Sequence, residues 1–372
     1  MTAASRRGPQ CSLNEWRINN FDLVRLLAAL QVALVHAIAN FTPHGAIFRV
    51  LQPGLSFFPG VPIFFVISGL LISRAYEQSE SIRDYYRNRC LRIFPALWVC
   101  LVVSLAVICV SGVGSLGTVS TWDWSLWWAA QMSIFQSYQP HFLGRFGSAG
   151  LNGSLWTIPI ELEFYLLLPL LYGVLKLHQR RGHALILAVL VGSLAVELIV
   201  VHWPSDFASI TSFHFLRLTL APYLWMFLVG VLIQRNWHSV RGKVMDRVHW
   251  WFAGYVFICL LARSLRIDVG GNDINPLFLL PLAGLIIAFA MSVRTLSEKV
   301  LRRWDISYGL YTYHALVICL MMQLALHSVT GATAISLAIA AVSWILVEKP
   351  FLMRKRCSLR AALTAPVPDV VR

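Results

Sequence analysis

Apolar residues gather in blocks near twenty long, and the short stretches between them carry most of the Arg and Lys. A helix of that length matches the roughly 30 Å hydrocarbon layer of a bilayer at about 1.5 Å per residue. Ten blocks are read as spans, at 21–41, 57–73, 93–111, 154–175, 184–201, 218–234, 250–262, 276–293, 306–326 and 332–347. The pattern predicts an all-α integral membrane protein. Arg25 and His36 lie inside the first block, where the core of a cleaved signal peptide would be uncharged, so that block is kept as a mature helix. An eleventh block, 122–138, is short, rich in Trp and carries Asp123.

The location of charge sets the orientation. The N-terminal segment and the loops after the even-numbered spans hold all 31 Lys and Arg except Arg25, Arg49, Arg145, Arg217, Arg263 and Arg266. By the positive-inside rule, both termini are cytoplasmic. Residues 1–20 lead in, 21–351 form the membrane domain, and 352–372 make a basic cytoplasmic tail. A crossing at 122–138 would turn the later basic loops outward, so that block is expected to be interfacial or re-entrant. With 58% apolar and 13% charged residues, neither a soluble globule nor a disordered chain is compatible. The formal charge of +14 belongs to loops that flank spans, which sets nucleic acid aside and keeps membrane lipids as partners. No Cys and His spacing resembles a metal site.

Polar residues inside the spans are the candidate chemistry. Arg25 and His36 are 11 positions apart, three helical turns plus about 20°, so they share a face about 16 Å apart along the axis. A snorkelling Arg with a core His and a pair facing a cavity both fit that spacing. In Gly60-Val61-Pro62-Ile63-Phe64-Phe65-Val66-Ile67-Ser68-Gly69, the small residues suit a tight helix crossing. Ser81 and Asp84 form a capping box for a short amphipathic helix ending near Arg92, ahead of Pro95. Its Arg83, Arg87, Arg89 and Arg92 fit acidic lipid, or a polyphosphate ligand that suits the guanidinium fork.

Glu161 and Glu163, two positions apart, point about 200° away from each other and cannot serve one site as a pair. Glu161 shares its face with Tyr165. Ser307, Tyr311 and His314 form one polar stripe, explained equally by a satisfied core His or by substrate contact.

These segments resemble the membrane-bound acyltransferase 3 family, bacterial enzymes that O-acylate surface glycans. The match runs in order through Arg25 and His36, GVPIFFVISG at 60–69, YYRNRCLRIFP at 85–95, SLWTIPIELEFYLLLP at 154–169, ISYGLYTYH at 306–314 and VEKPF at 347–351. Asn88 stands where many relatives carry a further Arg. The resemblance implies an acyl-CoA donor, acetyl-CoA in the first place, and a glycan or lipid-linked glycan acceptor at the bacterial inner membrane.

On that footing Arg87, Arg89, Arg92 and Ser68 are expected to hold the donor. His36 is expected to act as general base or acyl carrier, with Arg25 and Glu161 assisting. Trp156, Tyr165, Tyr311 and His314 are expected to touch substrate. The competing class is a proton-coupled transporter or lipid flippase using Arg25, His36 and Glu161 as a polar relay.

Overall fold

The computed structural model describes residues 16, 19–42, 45–111, 120–133, 135, 138, 152–174, 180–202, 216–292, 295–302 and 304–355. Among them the structure is helical, with no strand. Residues 356–372 of the basic tail and 203–215 between the fifth and sixth spans lie outside the described residues. The long elements, in order, are α1 (Phe21–Phe41), α2 (Ala46–Ser56), α3 (Gly60–Gln78), α4 (Ile82–Ser111) and α5 (Thr121–Gln131). After a 3-10 turn at Gly153–Trp156 come α6 (Thr157–Val174), α7 (Arg180–His202), α8 (Leu224–Arg235), α9 (Trp237–Val244) and α10 (Val248–Ser264). The last are α11 (Pro276–Ser292), α12 (Leu296–Leu301), α13 (Ser307–Gln323) and α14 (Val329–Ser343), which continues through a π-helical turn at Trp344–Glu348 into α15 (Lys349–Leu352).

Among the described residues six helices are long and apolar enough to cross a membrane, or seven if α9 and α10, bent by 84° at their break, make one span. The chain is a multi-pass membrane protein. The reading of ten spans places its other crossings at α8, α11 and α13, which have 12, 17 and 17 residues. Helix α5 has 11 residues, about 16 Å, too short to traverse the bilayer.

Ser81 caps α4 as expected, accepting from the Asp84 amide at 3.1 Å and donating to its carboxylate at 2.7 Å. The helix it starts is not short, however. It runs unbroken through Pro95 for 30 residues, about 45 Å, so its first turns extend past the hydrocarbon layer and its basic positions fall at the boundary.

The small residues of α3 are used for backbone contact. A Cβ on Gly69 would sit 1.9 Å from the Phe227 carbonyl oxygen of α8, and one on Gly230 of α8 would sit 2.1 Å from the Val66 carbonyl oxygen. At the other end of α3, a Cβ on Gly60 would sit 2.4 Å from the Ala28 oxygen of α1. Helix α3 is thus held between α1 and α8. The Gly60 amide donates to the Gln31 side-chain oxygen at 2.8 Å, which satisfies an open helix N-terminus from a neighbouring helix.

Helix α1 lies parallel to α13, and the shared face of Arg25 and His36 is the one that meets it. Arg25 reaches Asp305, just before α13, while His36 reaches His314 within it. Buried Asn20 fixes where α1 begins: its amide donates to the Ala290 carbonyl at 2.9 Å and its side-chain oxygen accepts from the Ser297 amide at 2.8 Å.

Candidate active site

A cavity of about 1060 Å³ opens between α1, α3, α4, α6 and α13. Its mouth is charged: Asp22, Arg25, Arg89, Arg92, Glu298, Asp305 and Lys355 line it together, four cations against three carboxylates. Further along come Ser68, Glu161, Tyr165, Ser307 and Tyr308, and then Phe64, Thr157 and Tyr311.

The mouth is organised by Asp305. One carboxylate oxygen, Oδ2, lies 2.7 Å from Arg92 and 3.5 Å from Arg25, and the other accepts from the Ser307 hydroxyl at 2.6 Å. Burial opposes the charge of Asp305, but the guanidiniums of Arg92 and Arg25 outweigh it and hold the carboxyl well below the usual carboxylate range. Arg25 also pairs with Asp22, one turn back on α1. Arg89 stacks over the Tyr165 ring at 5.9 Å, and its Nε is a buried donor with no hydrogen-bond partner, as is Nε of Arg25. These orphan N–H groups suit an anion. The Lys355 ammonium belongs to the same field. Burial first, then Arg89, Arg92 and Arg25, pushes its pKa down to about 7, with Asp305 opposing.

Deeper in, Glu161 accepts from the Ser68 hydroxyl at 3.1 Å and from the Tyr165 hydroxyl. Glu163 points away and accepts from the Leu220 amide at 2.7 Å, so the two carboxylates serve different places. Tyr311 closes the inner end, its hydroxyl 2.6 Å from that of Thr157. Its ring centroid lies 5.8 Å from that of His314, and the His314 and His36 rings are 5.1 Å apart. Nδ1 of His36 is 3.0 Å from Nε2 of His314.

Seven of the expected site residues line this cavity: Arg25, Ser68, Arg89, Arg92, Glu161, Tyr165 and Tyr311. Four do not. Arg87 is exposed on the outer side of α4, because two positions on a helix turn about 200° from Arg89. Trp156 packs against Tyr223, centroids 5.5 Å apart. His314 is 0% exposed, closed in by α1 and its own helix, so it offers no surface for substrate contact. His36 is only partly buried, yet the cavity from the arginine end stops one ring short of it, at Tyr311.

Three residues were missed by sequence reasoning. Asp305 could have been found as the carboxylate that ends the basic loop, two positions ahead of α13. Glu348, 2% exposed, is bonded to Ser343 at 3.2 Å and would lie 3.0 Å from a Cβ on Gly309; its signal is the acid within VEKPF. Lys355 gave no signal, since it reaches the mouth only by the way the chain returns after α15.

A bundle of membrane-crossing helices around a cavity, with basic side chains at one end and hydroxyl, carboxylate and aromatic groups toward the other, defines an integral membrane protein with a polar chamber inside its bundle. The family model of the acyltransferase domain matches residues 18–348, and the chain belongs to this family, acyltransferase 3. It is an acyltransferase. Nodulation protein 10 of Rhizobium leguminosarum bv. viciae is 33% identical, covering 95% of this chain and 98% of its own length. An O-acetyl transferase of Shigella phage Sf6 is 29% identical, covering 90% and 96%. O-acetyltransferase OatA of Staphylococcus aureus is 27% identical over 49% of this chain and 29% of its own. No solved structure matches the chain.

Proposed function

We propose that this enzyme transfers an acyl group, acetyl in the first place, from acyl-CoA on the cytoplasmic side of the bacterial inner membrane to a hydroxyl of a surface or exported glycan, or of its lipid-linked precursor. The observation that carries this reading is the cavity itself, with its cationic mouth at Arg25, Arg89, Arg92 and Lys355 and its throat toward Tyr311. Guanidinium groups with unused N–H bonds suit the phosphates of a CoA ester. The O-acetyltransferase relatives support acetyl as the group moved, and a relative named putative peptidoglycan O-acetyltransferase in Bacillus subtilis supports a glycan as the class of acceptor.

In this reading Arg89 and Arg92 hold the donor's phosphates and Ser68, Glu161 and Tyr165 line the path of its thioester arm. The acceptor hydroxyl comes from the opposite side, where His36 is partly exposed. Neutral His36 takes the hydroxyl proton as the oxygen attacks the thioester carbon, help worth about 10²–10⁴-fold. Arg25 lowers the cost of the anionic donor entering the bundle. Tyr311 leaves its bond to Thr157 to let the acyl group meet the imidazole.

The test is transfer of labelled acetyl from acetyl-CoA to glycan by the purified protein in nanodiscs, together with mass spectrometry of surface glycans from cells with and without it. Loss of an acetyl mass on deletion supports the reading. Unchanged glycans, and no label transfer, overturn it.

A further inference from the structure

The backbone around His314 bears on the protons of both imidazoles. Nδ1 of His314 lies 2.8 Å from the Tyr311 carbonyl oxygen and 3.2 Å from that of Leu310, and carbonyl oxygens only accept. In the neutral ring the proton therefore sits on Nδ1, and Nε2 is left as an acceptor. Facing that Nε2 at 3.0 Å is Nδ1 of His36, which must then donate. The second nitrogen of His36, Nε2, keeps its lone pair. We propose that His314 is a positioning residue that holds His36 in the Nδ1–H tautomer, with Nε2 presented as the base. The assignment rests on the reading of His36 given above.

The burial of His314 supports a supporting role, because a side chain 0% exposed contacts its neighbours and not a substrate. Its carbonyl partners belong to its own helix, one turn back, so the orientation is set by α13 itself. A carboxylate in the same place would orient His36 equally well, but a resting charge buried between helices is expensive. A neutral imidazole aims the base without that charge. In the transfer step the acceptor O–H bond breaks and its proton goes to Nε2 of His36. The oxygen forms the ester bond as the C–S bond of the donor breaks, and the proton then passes from Nε2 to the departing sulfur. The proton on Nδ1 stays shared with His314 throughout.

The experiment uses the full chain in nanodiscs. His314→Leu removes the acceptor, whereas His314→Gln places an amide oxygen within reach of Nδ1 of His36. The expected result is a fall in kcat of about 10²-fold or more for His314→Leu with KM for acetyl-CoA unchanged, and recovery of most of it by His314→Gln. Nitrogen NMR of the ¹⁵N-histidine-labelled protein, with His36 assigned by difference from His36→Gln, reads the tautomer directly. Nδ1 of His36 is expected to be protonated in the wild type and in His314→Gln, and no longer uniformly so in His314→Leu. If His314→Leu does not fold, the wild-type spectrum and His314→Gln decide the question. Wild-type kcat in folded His314→Leu, or an Nε2–H tautomer for His36 in the wild type, overturns the proposal. Full activity in His36→Ala overturns the reading of His36 as base, and the spectrum separates the two failures.

Discussion

Replacing Asp305 by Asn keeps its shape and removes its charge, and so tests what ties the mouth of the cavity together. The carboxylate faces Arg92 at 2.7 Å and Arg25 at 3.5 Å, with side-chain exposures of 11% for the acid and 12% and 23% for the two cations. Breaking a buried pair by removing one partner typically costs about 3–5 kcal/mol, because the remaining charge is left without compensation. Arg25 keeps Asp22 and is the more exposed of the two, which places the expected cost near about 3 kcal/mol. For a chain of 372 residues that corresponds to a melting temperature lowered by roughly 4 °C. Because the lost charge is anionic, another anion should replace it. Free CoA is therefore expected to raise the melting temperature of Asp305→Asn more than that of the wild type, as followed by a fluorescence melt in detergent. A variant that melts within about 1 °C of the wild type and gains no more from CoA would refute the tie.

Other expectations follow from single distances and burials. Arg89→Ala should raise KM for acetyl-CoA about 10- to 100-fold, by loss of charge-assisted bonds, whereas Arg87→Ala should leave steady-state kinetics unchanged. Donor phosphate beside Lys355 favours its charged form, so binding takes up a proton above the pKa of about 7, and KM for acetyl-CoA should climb from pH 7 to 9 in the wild type but stay flatter in Lys355→Arg. Gly69→Ala puts a carbon 1.9 Å from the Phe227 oxygen and should abolish stable expression, while Gly173→Ala and Gly254→Ala, with nothing within 4 Å, should express normally.

What the sequence made legible is whatever depends on local periodicity. The spacing of Arg25 and His36 put them on one face, and that face meets α13 at Asp305 and His314. The two-residue spacing of Glu161 and Glu163 separated them, and they do bond to different partners. The same arithmetic, applied to Arg87 and Arg89, would have removed Arg87 from the cavity. Contacts made by topology were not legible. Asp305 meets Arg92 across more than two hundred positions of sequence, and only the stacking of α4, α1 and α13 brings them together. The start of α4 was placed by its cap, but its length was not, because the charged turns ahead of Pro95 hid the continuity of one helix.

The crossing of α3 and α8 has a mechanical consequence. Two backbones that approach at Gly69 and Gly230 leave no slack for side chains to give way, so this pair acts as a fixed stator in the bundle. In the proposed reaction, a displacement that admits the donor or frees the Tyr311 phenol would fall away from this pair, and α14, which departs from regular pitch at Trp344–Glu348, is the element with room for it.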